Sequence, residues 1–537
     1  MPAFCLHARP PGGRPGPVSV VRDADVVASY LEDAAHFPGG HATGLVKPSS
    51  EAQIAEILRG SGSILPVGAQ SSLTGGATPM GELLLCTEGL NRIESFWADS
   101  VRVQAGVTMA ELDRELERAG RYYPPAPTFT GAFVGGTVAT NAAGAATFKY
   151  GPTRDWVQAL TVVLPCGAVL DVERGATRAH DSGYFELGVG GRTVRIDVPR
   201  YQMPSLPKLS AGYFAAPHMD LIDLFIGSEG TLGIVTAVTL RVLPVRPAVC
   251  LVFVAFSDRG AALSFVRRLR ASAMTTWRTR DPRGIDVSAI EHMDARSLAL
   301  IKEEGLDRAA GVHVPRDTRL ALLVTLELPR GTRADQVFDE IGRAGDPGAP
   351  DTPLVRFCAM LADAGALDGV EIAVPGDRAR AAQLLALREA APSVVNQRVG
   401  RAKQTIDSRI EKTAADMIVP FDRLDELLAF YDAELGRRGL DAAVWGHISD
   451  GNVHPNVIPQ SFADVESGKA AILEFGREAL RLGGAPLAEH GVGRNPVKQQ
   501  LLDMMYGAAG VDDMRRVKRA IDPAWKLAPG VLFSRWA

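Results

Sequence analysis

A chain of 537 residues exceeds what one hydrophobic core supports, and at roughly 100–200 residues per domain it predicts two to four units. Hydrophobic residues make up 46% and charged residues 22%, the proportions of a globular protein, and 62 acidic against 58 basic side chains leave a net charge of −4 that disfavours nucleic acid or an anionic membrane as partner. No run of 18 apolar residues occurs, so no segment is expected to span a bilayer. The N-terminus carries prolines and no long apolar stretch, which predicts a loose tail over residues 1–39 and a cytoplasmic protein, with peripheral membrane attachment left open. The five cysteines, Cys5, Cys86, Cys166, Cys250 and Cys358, form no CxxC pattern and are expected to be free core thiols.

Residues 20–62 mix short helical patterns with an extended edge at Leu45-Val-Lys-Pro48, then a helix from Glu51 behind the cap Ser49-Ser50. A small-residue loop follows at residues 65–79, Leu65-Pro-Val-Gly-Ala-Gln-Ser-Ser-Leu-Thr-Gly-Gly-Ala-Thr-Pro79, between the apolar Ile64-Leu65 and Leu83-Leu84-Leu85. Gly68, Gly75 and Gly76 permit positive φ, and Ser71, Ser72 and Thr74 add hydroxyls, so the loop can wrap a phosphate; an ordinary turn between two strands is the alternative. Arg102-Val-Gln-Ala-Gly-Val107 alternates as a strand, and Thr108-Met-Ala-Glu111 opens a helix with a capping-box pattern.

A second small-residue run spans residues 127–151, from Pro127-Thr128 through Gly131, Gly135-Gly136 and Asn141-Ala-Ala-Gly144 to Lys149-Tyr150-Gly151. With so little bulk, its backbone can lie against a flat ring or a ribityl chain, or else pack tightly between a helix and a strand. Residues 157–164 and 169–172 read as a hairpin around Cys166-Gly167, and residues 174–218 as a surface excursion or small hairpin. A third run, Gly227-Ser-Glu-Gly-Thr-Leu-Gly-Ile-Val235, enters a strand that ends at Pro244, where the first boundary falls. From Cys250 strands and helices alternate again, beginning with Leu251-Val-Phe-Val-Ala-Phe256. That predicts a second α+β domain, an antiparallel sheet with helices on one face.

Near the C-terminus stands Val444-Trp-Gly-His-Ile-Ser-Asp-Gly-Asn-Val-His-Pro-Asn456. Asp450-Gly451 is a two-residue hairpin signal. Centring the turn there sets His447 opposite His454, with Cβ atoms roughly 4.5–5.5 Å apart, close enough for both imidazoles to chelate one ion. Ala488-Glu-His-Gly-Val-Gly-Arg494 offers a carboxylate, Glu489, beside another histidine, and a His/His/carboxylate set suits zinc, manganese or iron.

Three small-residue runs in this order resemble the FAD-binding domain of the vanillyl-alcohol oxidase/PCMH flavoprotein superfamily, and the C-terminal half is similar to its D-lactate and D-2-hydroxyglutarate dehydrogenase branch. The resemblance implies an α+β fold: a two-subdomain FAD-binding domain at 40–245, a substrate-binding cap with an antiparallel sheet at 246–485, and a segment 486–537 that returns to the FAD domain. It implies FAD contacts from Pro66, Gly68, Gln70, Ser71, Ser72, Leu73, Thr74, Gly75 and Gly76 in the first run. In the second run it implies them from Pro127, Thr128, Gly131, Gly135, Gly136, Asn141, Gly144, Tyr150 and Gly151, and beyond it from Glu229, Gly233, Ile234 and Asn452. By the same resemblance His447, His454 and Glu489 hold a divalent metal, and His490 takes a proton from the substrate. Asn396-Gln-Arg-Val-Gly-Arg-Ala-Lys403 and Lys412-Thr-Ala-Ala-Asp-Met-Ile-Val-Pro420 resemble the relatives' segment for the substrate carboxylate, giving Arg398 (with Arg401 as the alternative), Lys412 and Asn456. Lys208-Leu-Ser-Ala-Gly-Tyr213 resembles a family segment in which Asn commonly follows the Lys; Leu209 departs from it, and Lys208 is given no role.

The implied activity is oxidation of a D-2-hydroxy acid to the 2-oxo acid by hydride transfer to the flavin. A same-fold oxidase of an alcohol or sugar acid, or an alkylglycerone-phosphate-synthase-like enzyme, is the alternative. The implied partners are the small acid and an electron acceptor such as a quinone, a cytochrome or an electron-transfer flavoprotein, and a homodimer is compatible with the family. Some relatives tether the flavin through a His in the first loop or a Cys near the second. Neither residue occurs in these loops, so dissociable FAD is expected.

Overall fold

The computed structural model describes residues 4–12, 16, 18–125 and 128–535. Pro127 lies outside the described residues. The chain divides into two compact units: the first comprises Met1–Gly144, Gly151–Val245 and Ala485–Ala537, and the second Ala145–Tyr150 and Arg246–Gly484. Among the described residues no helix is long and apolar enough to cross a membrane.

The first unit contains two principal sheets. In the smaller, Leu83–Cys86 lies between Gly44–Val46 and Ile64–Val67, parallel to both, as the helix Glu51–Gly60 in the crossover requires. Ser50 starts that helix by accepting the Gln53 N–H. The larger sheet is antiparallel, in the order Ile93–Phe96, Ser100–Gln104, Ile234–Arg241, Val157–Val163, Val169–Glu173. Ile54, Leu58, Leu85, Ala105, Val163 and Ile234 join elements of both sheets in one core. The C-terminal segment is built into the same core through Leu527: Ile64 donates to the Lys526 carbonyl and accepts from the Ala528 N–H, each at 2.8 Å.

Residues 4–12 are not part of the loose tail that the prolines suggest. Cys5–His7 is a strand parallel to Tyr184–Val189, which pairs in turn with Arg192–Asp197, and Arg9 bonds Glu51 at 2.9 Å. The excursion at 174–218 is thus the rest of a small sheet completed by the N-terminus, a pairing too distant in sequence for local patterns to reveal. Cys166 is exposed at its hairpin turn, unlike the core position expected of it.

The second unit is built on one antiparallel sheet in the order Glu371–Ala373, Ala248–Phe256, Leu320–Leu328, Asp286–Asp294, Ala442–His447, Asn452–Val457, Thr413–Ala414, with Met417–Ile418 also pairing Asn452–Val457. Helices cover both faces, not one. Leu251 and Phe253 pack with Leu384 and Leu387 of the helix Arg378–Thr405, while Phe256 points the other way, 5.5 Å between ring centroids from Phe265 of Arg259–Thr279. The near-continuous apolar run at 251–256 is the mark of a strand buried on both sides. The short segment Ala145–Tyr150 belongs to this unit because Lys149 bonds Asp286 (2.7 Å) and Glu327 (2.6 Å), and the Tyr150 hydroxyl bonds Glu327 (2.8 Å).

Candidate active site

In the first unit the first and third small-residue runs come together with residues 128–144 of the second. The loop after Ile64–Val67 is shaped by Gln70 (φ 50) and Gly75 (φ 74); a Cβ at Gly75 would lie 2.6 Å from the Phe37 ring, so glycine is required there by contact as well as by φ. The Gln70 amide is occupied by the carbonyls of Tyr30 (2.9 Å) and Ala77 (2.8 Å), so its side chain shapes the loop. Ser71, Ser72 and Leu73 are half-buried, and Thr74 is buried with its hydroxyl 3.1 Å from that of Ser72. Pro66 packs where a Cβ on Gly230 would be, at 2.8 Å, which joins the first run to the third.

In the second run Gly135 faces Ala105 so closely that a Cβ would sit at 2.6 Å, whereas a Cβ on Gly136 would meet nothing within 4 Å. One glycine therefore permits packing, and its neighbour, on the same short helix Val134–Ala139, leaves open space beside the backbone. Thr128 is exposed, Gly131 is half-buried, Gly144 is buried, and Gly151 (φ 76) turns the chain against Asp155. The Asn141 side chain accepts from the Arg154 N–H and donates to the Leu209 carbonyl, and Tyr150 is held by Glu327, so both side chains serve the protein framework. In the third run Gly233 makes room for Val162, Ile234 is a core residue, and the Glu229 carboxylate accepts the N–H groups of Val492 and Gly493. Burial pushes the Glu229 carboxyl up to about 7 against the pull of these two amides.

The same unit carries Glu489 and His490. Lys208, 1% exposed, donates to Glu489 Oε2 at 2.7 Å, while Oε1 lies 3.4 Å from His490 Nε2. Lys208 thus gains a role despite the Leu209 departure: it orients and neutralises a buried carboxylate, whose other oxygen is directed to the histidine side.

In the second unit, Ala442–His447 and Asn452–Val457 form the expected hairpin, in a register shifted by two residues. Residues 448–450 make a 3₁₀ turn completed by Gly451 (φ 80), so His447 pairs Asn452 and Trp445 pairs His454. The two histidines are diagonal neighbours on one face instead of directly opposite, with ring centroids 5.7 Å apart and planes at 88°.

Each imidazole is backed by a buried carboxylate. His447 Nδ1 bonds Glu291, its cross-strand partner, and Arg388 holds the other oxygen of Glu291 at 2.6 Å. Burial alone would raise the Glu291 carboxyl, but Arg388 and then His447 outweigh it and hold it at about 2. His454 Nδ1 lies 3.5 Å from Asp416, which also accepts the Asn452 side-chain N–H at 3.1 Å. At His447 the carboxylate bonded to Nδ1 favours the Nδ1–H tautomer and leaves Nε2 as the lone-pair donor, the arrangement of a metal-ligating histidine. The donor types and their carboxylate supports therefore fit a divalent ion. Asn456, buried on the same face, donates to the His454 carbonyl, and its neighbour across the sheet, Ala414, is two residues beyond the half-buried Lys412.

Arg398 is placed differently from expectation. It lies on the helix Arg378–Thr405 with its guanidinium bound to Glu303 (2.6 Å) and Glu304 (3.1 Å), and Arg401 is exposed on that helix. A guanidinium already neutralised by two carboxylates is a surface support, not a carboxylate receptor. Arg388, ten residues earlier in sequence, is bonded to Glu291, the carboxylate behind His447. Glu291, Arg388 and Asp416 escaped sequence reading. Their signals were two adjacent polar residues, Glu291-His292, inside an apolar strand, and the Asp that opens Asp416-Met-Ile-Val-Pro420.

Residues 42–173 match the family described as FAD binding domain, and residues 247–532 match that described as FAD linked oxidases, C-terminal domain. The chain is 30% identical over 501 residues to an uncharacterised FAD-linked oxidoreductase of Mycobacterium tuberculosis, covering 91% of this chain and 90% of that one. It is 27% identical over 479 residues to a D-lactate dehydrogenase of Anaerostipes hadrus, covering 87% and 83%. Its fold is similar to that of a solved alkyldihydroxyacetonephosphate synthase, with a TM-score of 0.60 at 15% identity over 95% of this chain and 82% of that one. Two family matches over most of the sequence, together with a relative aligned along nearly its full length, settle the assignment: the chain belongs to the FAD-linked oxidases, a family of FAD-dependent oxidoreductases.

Proposed function

We propose that this protein is an FAD-dependent dehydrogenase that oxidises a D-lactate-like 2-hydroxy acid to the 2-oxo acid, with a divalent ion held by His447, His454 and Glu489. The observation that supports it most is the pair of imidazoles on one face of the hairpin, each backed by its own carboxylate, in a chain of the FAD-linked oxidase family. FAD, when bound, accepts the hydride. A divalent ion, when bound, supplies Lewis acidity toward the substrate oxygens.

The chain's own residues then orient the acid and move its proton. His490 takes the hydroxyl proton at a ring nitrogen, and Lys412 and Asn456 fix the carboxylate so that C2 presents its hydrogen in one orientation. Asn452 is assigned to the flavin side. Glu291 and Asp416 fix the imidazoles, and Lys208 fixes Glu489. Electrons leave to a quinone, a cytochrome or an electron-transfer flavoprotein.

Anaerobic addition of a panel of 2-hydroxy acids tests this reading. D-enantiomers should bleach the flavin absorbance and L-enantiomers should not. Bleaching by alcohols or sugar acids alone would move the chain to the oxidases of the same fold. No bleaching by any of them would favour synthase-like chemistry. Because the cradle loops lack His and Cys, acid precipitation should release all the yellow chromophore into the supernatant. Flavin fluorescence that stays on the denatured band would contradict dissociable FAD.

A further inference from the structure

Glu229 lies at the meeting point of four segments of the first unit. Its side chain accepts the N–H groups of Val492 and Gly493, each at 2.8 Å. Those amides converge because Gly491 (φ 78) and Gly493 (φ 58) flank Val492 in the left-handed region, a backbone concavity that receives an anion. The fit is close: a Cβ on Gly491 would be 2.8 Å from Glu229 Oε1, and one on Gly493 would be 2.3 Å from Thr74.

The Glu229 main chain, itself at φ 50, donates to the Ala139 carbonyl at 2.8 Å, which ties it to the second small-residue run. A Cβ on Gly76 of the first run would stand 3.5 Å from Glu229 Oε2 and 3.4 Å from the Gly493 Cα. The Arg494 N–H bonds the Thr74 carbonyl at 3.0 Å, and the Arg494 side chain bonds Glu82 at 2.7 Å. The segment that follows His490 is therefore pressed onto the first loop and anchored through Glu229 to the second and third.

We propose that Glu229 is a positioning residue for the reaction: by clamping the backbone at Val492 and Gly493 it fixes His490, two residues upstream, against the loops that cradle FAD. This rests on the reading of His490 as the proton acceptor. A glutamine at 229 keeps the shape but replaces one of the two accepting oxygens with an amide donor that opposes a backbone N–H, so the clamp loosens without a change in volume.

The test uses FAD-loaded full-length protein with Glu229→Gln, Glu229→Asp, His490→Ala and the double variant Glu229→Gln/His490→Ala. Hydrogen exchange should accelerate at Val492 and Gly493 in Glu229→Gln. Its limiting rate of anaerobic flavin reduction by D-lactate should fall about 10- to 100-fold, the loss expected for one charge-assisted hydrogen-bond anchor. FAD affinity and the apparent substrate dissociation constant should change little. Glu229→Asp, which retains the charge, should recover part of the rate and guards against a glutamine variant that does not fold.

The double variant should be no slower than His490→Ala alone, because the clamp acts through that side chain. A wild-type reduction rate in Glu229→Gln, or a further equal loss when it is added to His490→Ala, would overturn the proposal. A fast His490→Ala enzyme would instead refute the role of His490, while accelerated exchange at Val492 and Gly493 would still report the clamp.

Discussion

His490→Ala is expected to slow anaerobic flavin reduction by about 10²–10⁴-fold, the usual contribution of a positioned base, with FAD and metal content near wild type. Glu489 Oε1 and His490 Nε2 lie 3.4 Å apart, so the proposed base stands beside the proposed carboxylate ligand, and metal content is the readout that tells the two roles apart. Glu489 is held by Lys208 through its other oxygen, and the His490 side chain is one quarter exposed. Stopped-flow reduction and metal analysis on the same preparation separate the outcomes. If the substitution strips the metal and the residual holoenzyme stays fast, His490 is a ligand or a support, and the base lies elsewhere.

The parts of this site that were legible in sequence are those that residue identity fixes locally. Small residues can be read as close backbone approach, and Gly75 and Gly135 do meet Phe37 and Ala105 at distances that no side chain tolerates. Histidines that recur across a turn can be read as potential partners whatever the register. The register itself was not legible, because Asp450-Gly451 looks like a complete turn on its own. What decides it is tertiary: the Ser449 hydroxyl bonds the Ile290 N–H, and Arg270 bonds the Ser449 carbonyl at 2.6 Å, which draws residues 448–450 into a 3₁₀ turn. The supporting carboxylates were hidden for the same reason. Glu291 is 156 positions from His447 and becomes its neighbour only when two strands pair. Arg398 was misassigned because spacing in sequence carries no information about which helix face Glu303 and Glu304 will claim.

Removal of the divalent ion by a chelator is expected to abolish substrate-driven bleaching while FAD stays bound, since the proposed imidazole donors belong to the second unit and the FAD loops to the first. His454→Ala should reproduce the effect of the chelator. Its ring is buried on the hairpin face beside His447, so the truncation removes one of the two imidazoles without breaking a strand pairing. A graded arm comes from the carboxylates. Glu291→Gln keeps the shape behind His447 but weakens the acceptor that fixes its tautomer, and loss of such a support typically costs about 10–100-fold in metal affinity. Glu291→Gln protein should therefore bleach normally at saturating zinc, manganese or iron, and lose activity at chelator concentrations that spare the wild type. His454→Ala should not be rescued at any concentration of these ions. The measurement is flavin bleaching against free metal, with metal content determined on the same samples. Full activity in exhaustively chelated protein that analysis shows to be metal-free would rule out the ion and leave His447, His454 and their carboxylates as a structural network of the sheet.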